Sequence, residues 1–166
     1  MVKKIPLLYF SGLLSRFHEK YGMFHHHTTH RVRYAETDKM GYLYYGHYAT
    51  LYEIGRVEML RSLGLTYREL EDELDVMMPV MSLQMRYVRP AHYDELLTIE
   101  TTLREFPQRT ITFHVEIYNA ARKLVNGGSV RLCFVQRTTG TTIAPPTALL
   151  DRLKTYFAQT THRTGN

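Results

Sequence analysis

One change of hydrophobic period constrains this chain more than any other feature. Tyr48, Leu51, Tyr52, Gly55, Met59 and Leu63 recur at spacings of three and four, which predicts a single long helix over residues 45–63. Gly64 supplies a helix stop, and a second short helix is expected over 67–73. Beyond that point the period falls to two. Met81, Leu83, Met85 and Tyr87 alternate with polar residues, and Leu97, Ile99, Thr101 and Leu103 line one face of the next strand. Ile111, Phe113, Val115 and Ile117 line a third, and residues 130–136 make a fourth. A first strand is expected over 30–34, ahead of the long helix, and a last amphipathic helix after Pro145 and Pro146, to about Phe157. Pro107-Gln108 and residues 119–122 are short enough for hairpins, while Gly127-Gly128 reads as a bulge. Strands joined by hairpins pair antiparallel, and a long helix with an apolar face must be covered by that sheet. The prediction is an α+β domain, a five-stranded antiparallel sheet curled around one central helix.

Length supports one such domain. A chain of 166 residues with 44% apolar and 22% charged residues can bury a core without a metal or a disulfide. The single cysteine, Cys133, lies in an apolar strand and reads as a small hydrophobe; this usage fits a reducing, cytoplasmic setting. The formal charge of +5 suits nucleic acid, an anionic membrane or a polyphosphate ligand equally, or simple solubility. No basic run with interleaved aromatics favours nucleic acid, and no apolar run reaches the ~18 residues that a membrane span needs. Residues 1–24 read as an N-terminal extension and 25–160 as the domain. His25, His26, His27 and His30 match no structural zinc spacing and read as an exposed polar lead-in to the first strand, so no metal is expected.

The chemistry-bearing residues concentrate between the first strand and the long helix, in Arg33-Tyr34-Ala35-Glu36-Thr37-Asp38-Lys39-Met40-Gly41 and on to Tyr44-Tyr45-Gly46-His47-Tyr48. A helix N-terminus presents free N–H groups and a partial positive charge, which can polarise a carbonyl oxygen. A carboxylate beside it can attack the carbonyl carbon or activate a water. Spacing alone favours a second reading of Asp38, a residue that closes a turn. Glu36, two positions away, leaves a paired-carboxylate arrangement open as well.

These residues resemble the 4-hydroxybenzoyl-CoA thioesterase family of hotdog-fold proteins, in particular the branch of small acyl-CoA thioesterases linked with the Tol–Pal cluster. The likeness continues through Tyr52-Glu53-Ile54-Gly55-Arg56 and Tyr87-Val88-Arg89-Pro90, and spans about residues 30–157. It implies a hotdog fold and hydrolysis of an acyl-CoA to a free acid and coenzyme A, with coenzyme A as part of the substrate and no separate cofactor. Asp38 matches the catalytic aspartate, and Tyr45 the position whose backbone N–H polarises the thioester carbonyl. The Tol–Pal-linked branch favours histidine there, so Tyr45 departs from it. Tyr34, Gly46 and His47 match pocket positions, His47 in an orienting role, and Gly41 supplies backbone shape. Arg109 sits where related enzymes place basic residues near the nucleotide; Arg86, Arg89 and Arg122 are weaker candidates. The resemblance also implies a homodimer or homotetramer with shared sites. The alternative is a non-catalytic module of the same fold that binds acyl-CoA or an acyl carrier protein.

Overall fold

The computed structural model describes residues 22–157. The N-terminal extension expected over 1–24 lies outside these residues as far as position 21. The described chain runs β1 (Phe24–Arg31), a 3-10 turn (Tyr34–Glu36), α1 (His47–Ser62), a π-helical turn (Glu69–Glu73), β2 (Val76–Met77), β3 (Val80–Tyr87), β4 (Leu96–Leu103), β5 (Thr110–Tyr118), β6 (Leu124–Cys133), β7 (Val135–Gln136) and α2 (Thr147–Phe157). The main sheet has the order β1-β4-β5-β6-β3, with every neighbour antiparallel. β2 and β7 form a separate two-stranded ribbon.

The expected architecture is the observed one, the α+β hotdog arrangement, and the core explains why. Leu97, Ile99, Leu103, Ile111, Phe113, Val115 and Ile117 are all buried on one face of the sheet. Onto this face α1 lays Tyr48, Leu51, Tyr52, Gly55, Met59 and Leu60. Each large apolar side chain so buried stabilises the fold by roughly 1.5–3 kcal/mol. The helix ends where expected. The Gly64 N–H donates to Arg61 O (2.9 Å) and the Leu65 N–H to Leu60 O (3.2 Å), the paired bonds that close a helix C-terminus.

Three expectations are corrected. The first strand begins at Phe24 rather than His30 and ends at Arg31, and Tyr34 opens a 3-10 turn instead of extending. The histidine run is itself the strand: Phe24, His26, Thr28 and His30 alternate with the more exposed His25, His27, Thr29 and Arg31. Second, the apolar face of β3 is not buried by the described residues. β3 is an edge strand, and Val80, Met81, Leu83 and Tyr87 are exposed. Third, Gly127 and Gly128 lie inside β6, where a Cβ on residue 128 would fall 2.0 Å from Gln84 O. Gly128 thus permits close strand approach; the register shift falls upstream, opposite Ile117 and Tyr118.

Candidate active site

After β1 the chain makes its 3-10 turn and then a small hairpin. Thr37 bridges Leu43, the Asp38 N–H donates to Tyr42 O (2.9 Å), and the Gly41 N–H returns to Asp38 O (2.9 Å). Gly41 stands at φ +78, a conformation that other residues adopt only with strain. The return limb is pinned to the loop before β4 through the Leu43 N–H on Ala91 O (2.8 Å) and a bridge from Tyr42 to His92. The Tyr44 N–H donates to Glu36 O (2.9 Å), and the helix begins at His47. One hairpin therefore carries both Asp38 and the start of α1.

Asp38 is half-buried. Its Oδ1 accepts the Met40 N–H (2.8 Å) and, at 3.3 Å, the Tyr42 N–H. Among the described residues Oδ2 has no hydrogen-bond partner. Asp38 thus closes a turn, as one sequence reading had it, and in doing so its carboxylate is oriented with one oxygen uncommitted. Glu36 is not its partner. The two Glu36 oxygens are taken by His30 Nε2 (2.9 and 3.1 Å) and the Arg33 N–H (2.8 Å), so the paired-carboxylate alternative lacks its second group.

At the helix start, Gly46 is the N-cap and supplies no side-chain cap. The Tyr48 N–H reaches Tyr45 O (3.4 Å), and the His47 N–H reaches Tyr44 O (2.9 Å). The Tyr45 and Gly46 amides have no hydrogen-bond acceptor among the described residues. The carbonyl of Tyr45 accepts from the Tyr87 hydroxyl (3.2 Å), which fixes the peptide plane behind it. Tyr45 is 63% exposed, its ring tilted against Tyr44 and edge-on to Tyr87. A Cβ on residue 46 would lie 2.8 Å from the Tyr44 ring, so glycine lets that ring close over the helix start. His47 meets the same ring edge-on. The hydroxyl of Tyr44 titrates above its ordinary range because of its hydrogen bond with Tyr45, and the Asp38 charge adds a smaller push in the same direction. Burial, with help from Tyr87 and Glu95, pushes Tyr48 up to about 12.

Two of the sequence candidates stand apart. Tyr34 is 80% exposed, edge-on to Tyr93, beside a groove of about 520 Å³ lined by Thr29, Arg31, Arg33, Tyr93 and their neighbours. Arg109 lies in the β4–β5 loop, at the sheet end where Leu103 and Phe24 pair; Asp38 follows the opposite end, where Arg31 pairs with Leu96. Eight residues of strand separate those ends, about 25 Å at the rise of a β-strand. One chain does not bring Arg109 to Asp38. Among the described residues no three histidine, cysteine or acidic side chains converge on a possible metal position.

Comparison with known proteins follows the same lines. A model of the thioesterase superfamily matches residues 40–126, beginning just after Asp38. YneP of Bacillus subtilis, provisionally named an acyl-CoA thioesterase, is 33% identical over 103 residues, covering 61% of this chain and 74% of that protein. Acyl-CoA thioester hydrolase YbgC of Escherichia coli O6:H1 is 33% identical over 100 residues, covering 60% and 74%. The crystal structure of DHNA-CoA thioesterase from Staphylococcus aureus superposes with a TM-score of 0.69 at 30% identity, over 81% of this chain and 84% of that one.

Proposed function

The chain belongs to the thioesterase superfamily, and from that premise we propose that it hydrolyses acyl-CoA thioesters with Asp38 as the reacting carboxylate. The reaction class rests on the relatives. The role of Asp38 rests on one observation: its carboxylate is oriented by the Met40 and Tyr42 amides on the hairpin that delivers the start of α1. We place the thioester carbonyl oxygen at the Tyr45 and Gly46 amides, where the helix end stabilises developing negative charge. The uncommitted Oδ2 then acts in one of two ways. It attacks the carbonyl carbon, the C–S bond breaks, coenzyme A leaves as the thiolate, and water hydrolyses the mixed anhydride. Otherwise it takes a proton from water, whose oxygen attacks the same carbon. Neither route calls for a metal or a separate cofactor. Because a backbone N–H serves at Tyr45, neither needs the imidazole of the Tol–Pal-linked branch. Single-turnover hydrolysis in 18O-labelled water tests them: label in the Asp38 carboxylate marks the anhydride route and rules out the simple water route.

The same reading includes a second copy of the chain. β3 exposes Val80, Met81, Leu83 and Tyr87 along an open strand edge, a surface that proteins ordinarily cover. Pairing β3 with its twofold mate sets the Val80 end of one copy beside the Tyr87 end of the other. Arg109 lies on the Val80 side of the sheet and the Tyr45 region on the Tyr87 side. A dimer of this kind carries Arg109 of a second copy toward the Asp38 side, where it would meet coenzyme A phosphates. Gly46 and His47 shape the entrance in this scheme, and Tyr34 keeps to its own groove beside Tyr93. The 4-hydroxybenzoyl-CoA branch and a cytoplasmic setting belong to the same proposal; among the described residues no helix is long and apolar enough to cross a membrane.

A further inference from the structure

We propose that His30 is a positioning residue for Asp38, acting through Glu36. The proposal rests on Asp38 being the reacting carboxylate. His30 is the next-to-last residue of β1, and its Nε2 meets both carboxylate oxygens of Glu36 at 2.9 and 3.1 Å. The contact is sheltered, with the side chains of His30 and Glu36 only 10% and 17% exposed. Glu36 also accepts the Arg33 N–H on Oε2 (2.8 Å), which locks the 3-10 turn, and its own carbonyl accepts the Tyr44 N–H (2.9 Å). Glu36 is therefore the residue at which the sheet, the outgoing limb of the hairpin and the approach to α1 meet. The next rung is Thr37 with Leu43, and the one after is Asp38 with Tyr42.

The hairpin has two anchors. The return limb is tied through Leu43 on Ala91, and the outgoing limb through Glu36 on His30. β1 itself does not depend on the second anchor, because it is laddered to β4 along its whole length, Phe24 opposite Leu103 through to Arg31 opposite Leu96. Loss of the imidazole thus leaves the sheet intact and removes the tie between it and the limb that carries Asp38. A displacement of about 1 Å at a reacting group costs on the order of 100-fold in rate.

The test is steady-state kinetics on an acyl-CoA together with thermal melts. In His30→Leu, kcat falls about 10- to 100-fold while KM stays within about threefold, and melting remains one cooperative step. His30→Gln, which keeps a donor nitrogen near the Nε2 position, recovers most of the rate. Glu36→Gln, which keeps the shape and removes the charge, lowers kcat in the same way and decides the matter if His30→Leu does not fold. In an Asp38→Asn background, His30→Leu lowers the residual rate no further, because the group it positions is gone. Parental kcat in both His30→Leu and Glu36→Gln overturns the proposal, as does a full additional loss in the Asp38→Asn background. Parental kcat in Asp38→Asn itself overturns the functional reading first, so the two failures are told apart.

Discussion

Substituting Gly55 by alanine pits helix propensity against packing, and the geometry decides the outcome. Residue 55 sits mid-way along α1, buried against β4. On propensity alone, alanine for glycine inside a helix stabilises by about 1 kcal/mol. The added Cβ, however, falls 2.5 Å from Thr101 Oγ1 and 2.9 Å from Ile99 Cγ2. Both neighbours are fully buried and β-branched, so they cannot rotate aside cheaply. The helix must lift from the sheet instead, and overpacking of this kind costs about 1–3 kcal/mol. The net expectation is a loss of up to about 2 kcal/mol, read as a fall in Tm of about 2–4 °C per kcal/mol for a chain of this length. Because α1 carries the Tyr45 and Gly46 amides at its start, the lift also lowers kcat. The assay is a thermal melt followed by circular dichroism, paired with acyl-CoA turnover on the same sample. A raised Tm with unchanged kcat would refute the reasoning, since propensity would then outweigh contact.

Other expectations concern the substrate, the partner and pH. Arg109→Ala should raise KM for acyl-CoA several-fold and leave KM for the matching acyl-pantetheine thioester unchanged, because only the former carries nucleotide phosphates. Leu83→Lys, on the exposed face of the β3 edge, should shift the protein to monomer by analytical ultracentrifugation and lower turnover with it. Burial alone would push the Glu36 carboxyl up, but the Arg33 N–H and His30 prevail and hold it below its ordinary value. A depressed carboxyl stabilises the fold at pH above its unfolded pKa and loses that contribution as pH falls through the folded one. The stability gap between the parent and Glu36→Gln, measured by urea titration, should therefore be present at about pH 7 and shrink below about pH 4.

Much of the fold was legible because its core obeys simple periods. Leu97 to Leu103 and Ile111 to Ile117 alternate cleanly since one face meets α1 and the other does not. The start of β1 is hidden in the sequence because four histidines carry no hydrophobic signal, although they alternate in burial like any strand. β3 misled in the opposite way: its alternation is genuine, but the apolar side chains face outward from an edge, and periodicity does not say which molecule covers them. Asp38 was legible as a residue and ambiguous as a role, since a turn-closing carboxylate and an oriented one are the same geometry here. The His30–Glu36 contact could not be read from the chain, because it depends on a strand register that begins six residues earlier than the pattern suggests. Arg109 is marked in the sequence by family position alone, and its distance from Asp38 along one sheet calls for a second copy of the chain.

The most direct measurement is turnover and binding in Asp38→Asn. The amide keeps an oxygen to accept the Met40 N–H, so the hairpin and the helix start are retained. Removing a positioned carboxylate of this kind lowers kcat by about 10²- to 10⁴-fold. That loss is expected with the Kd for a non-hydrolysable acyl-CoA analogue unchanged within about threefold. A variant that hydrolyses acyl-CoA at the parental rate would contradict it.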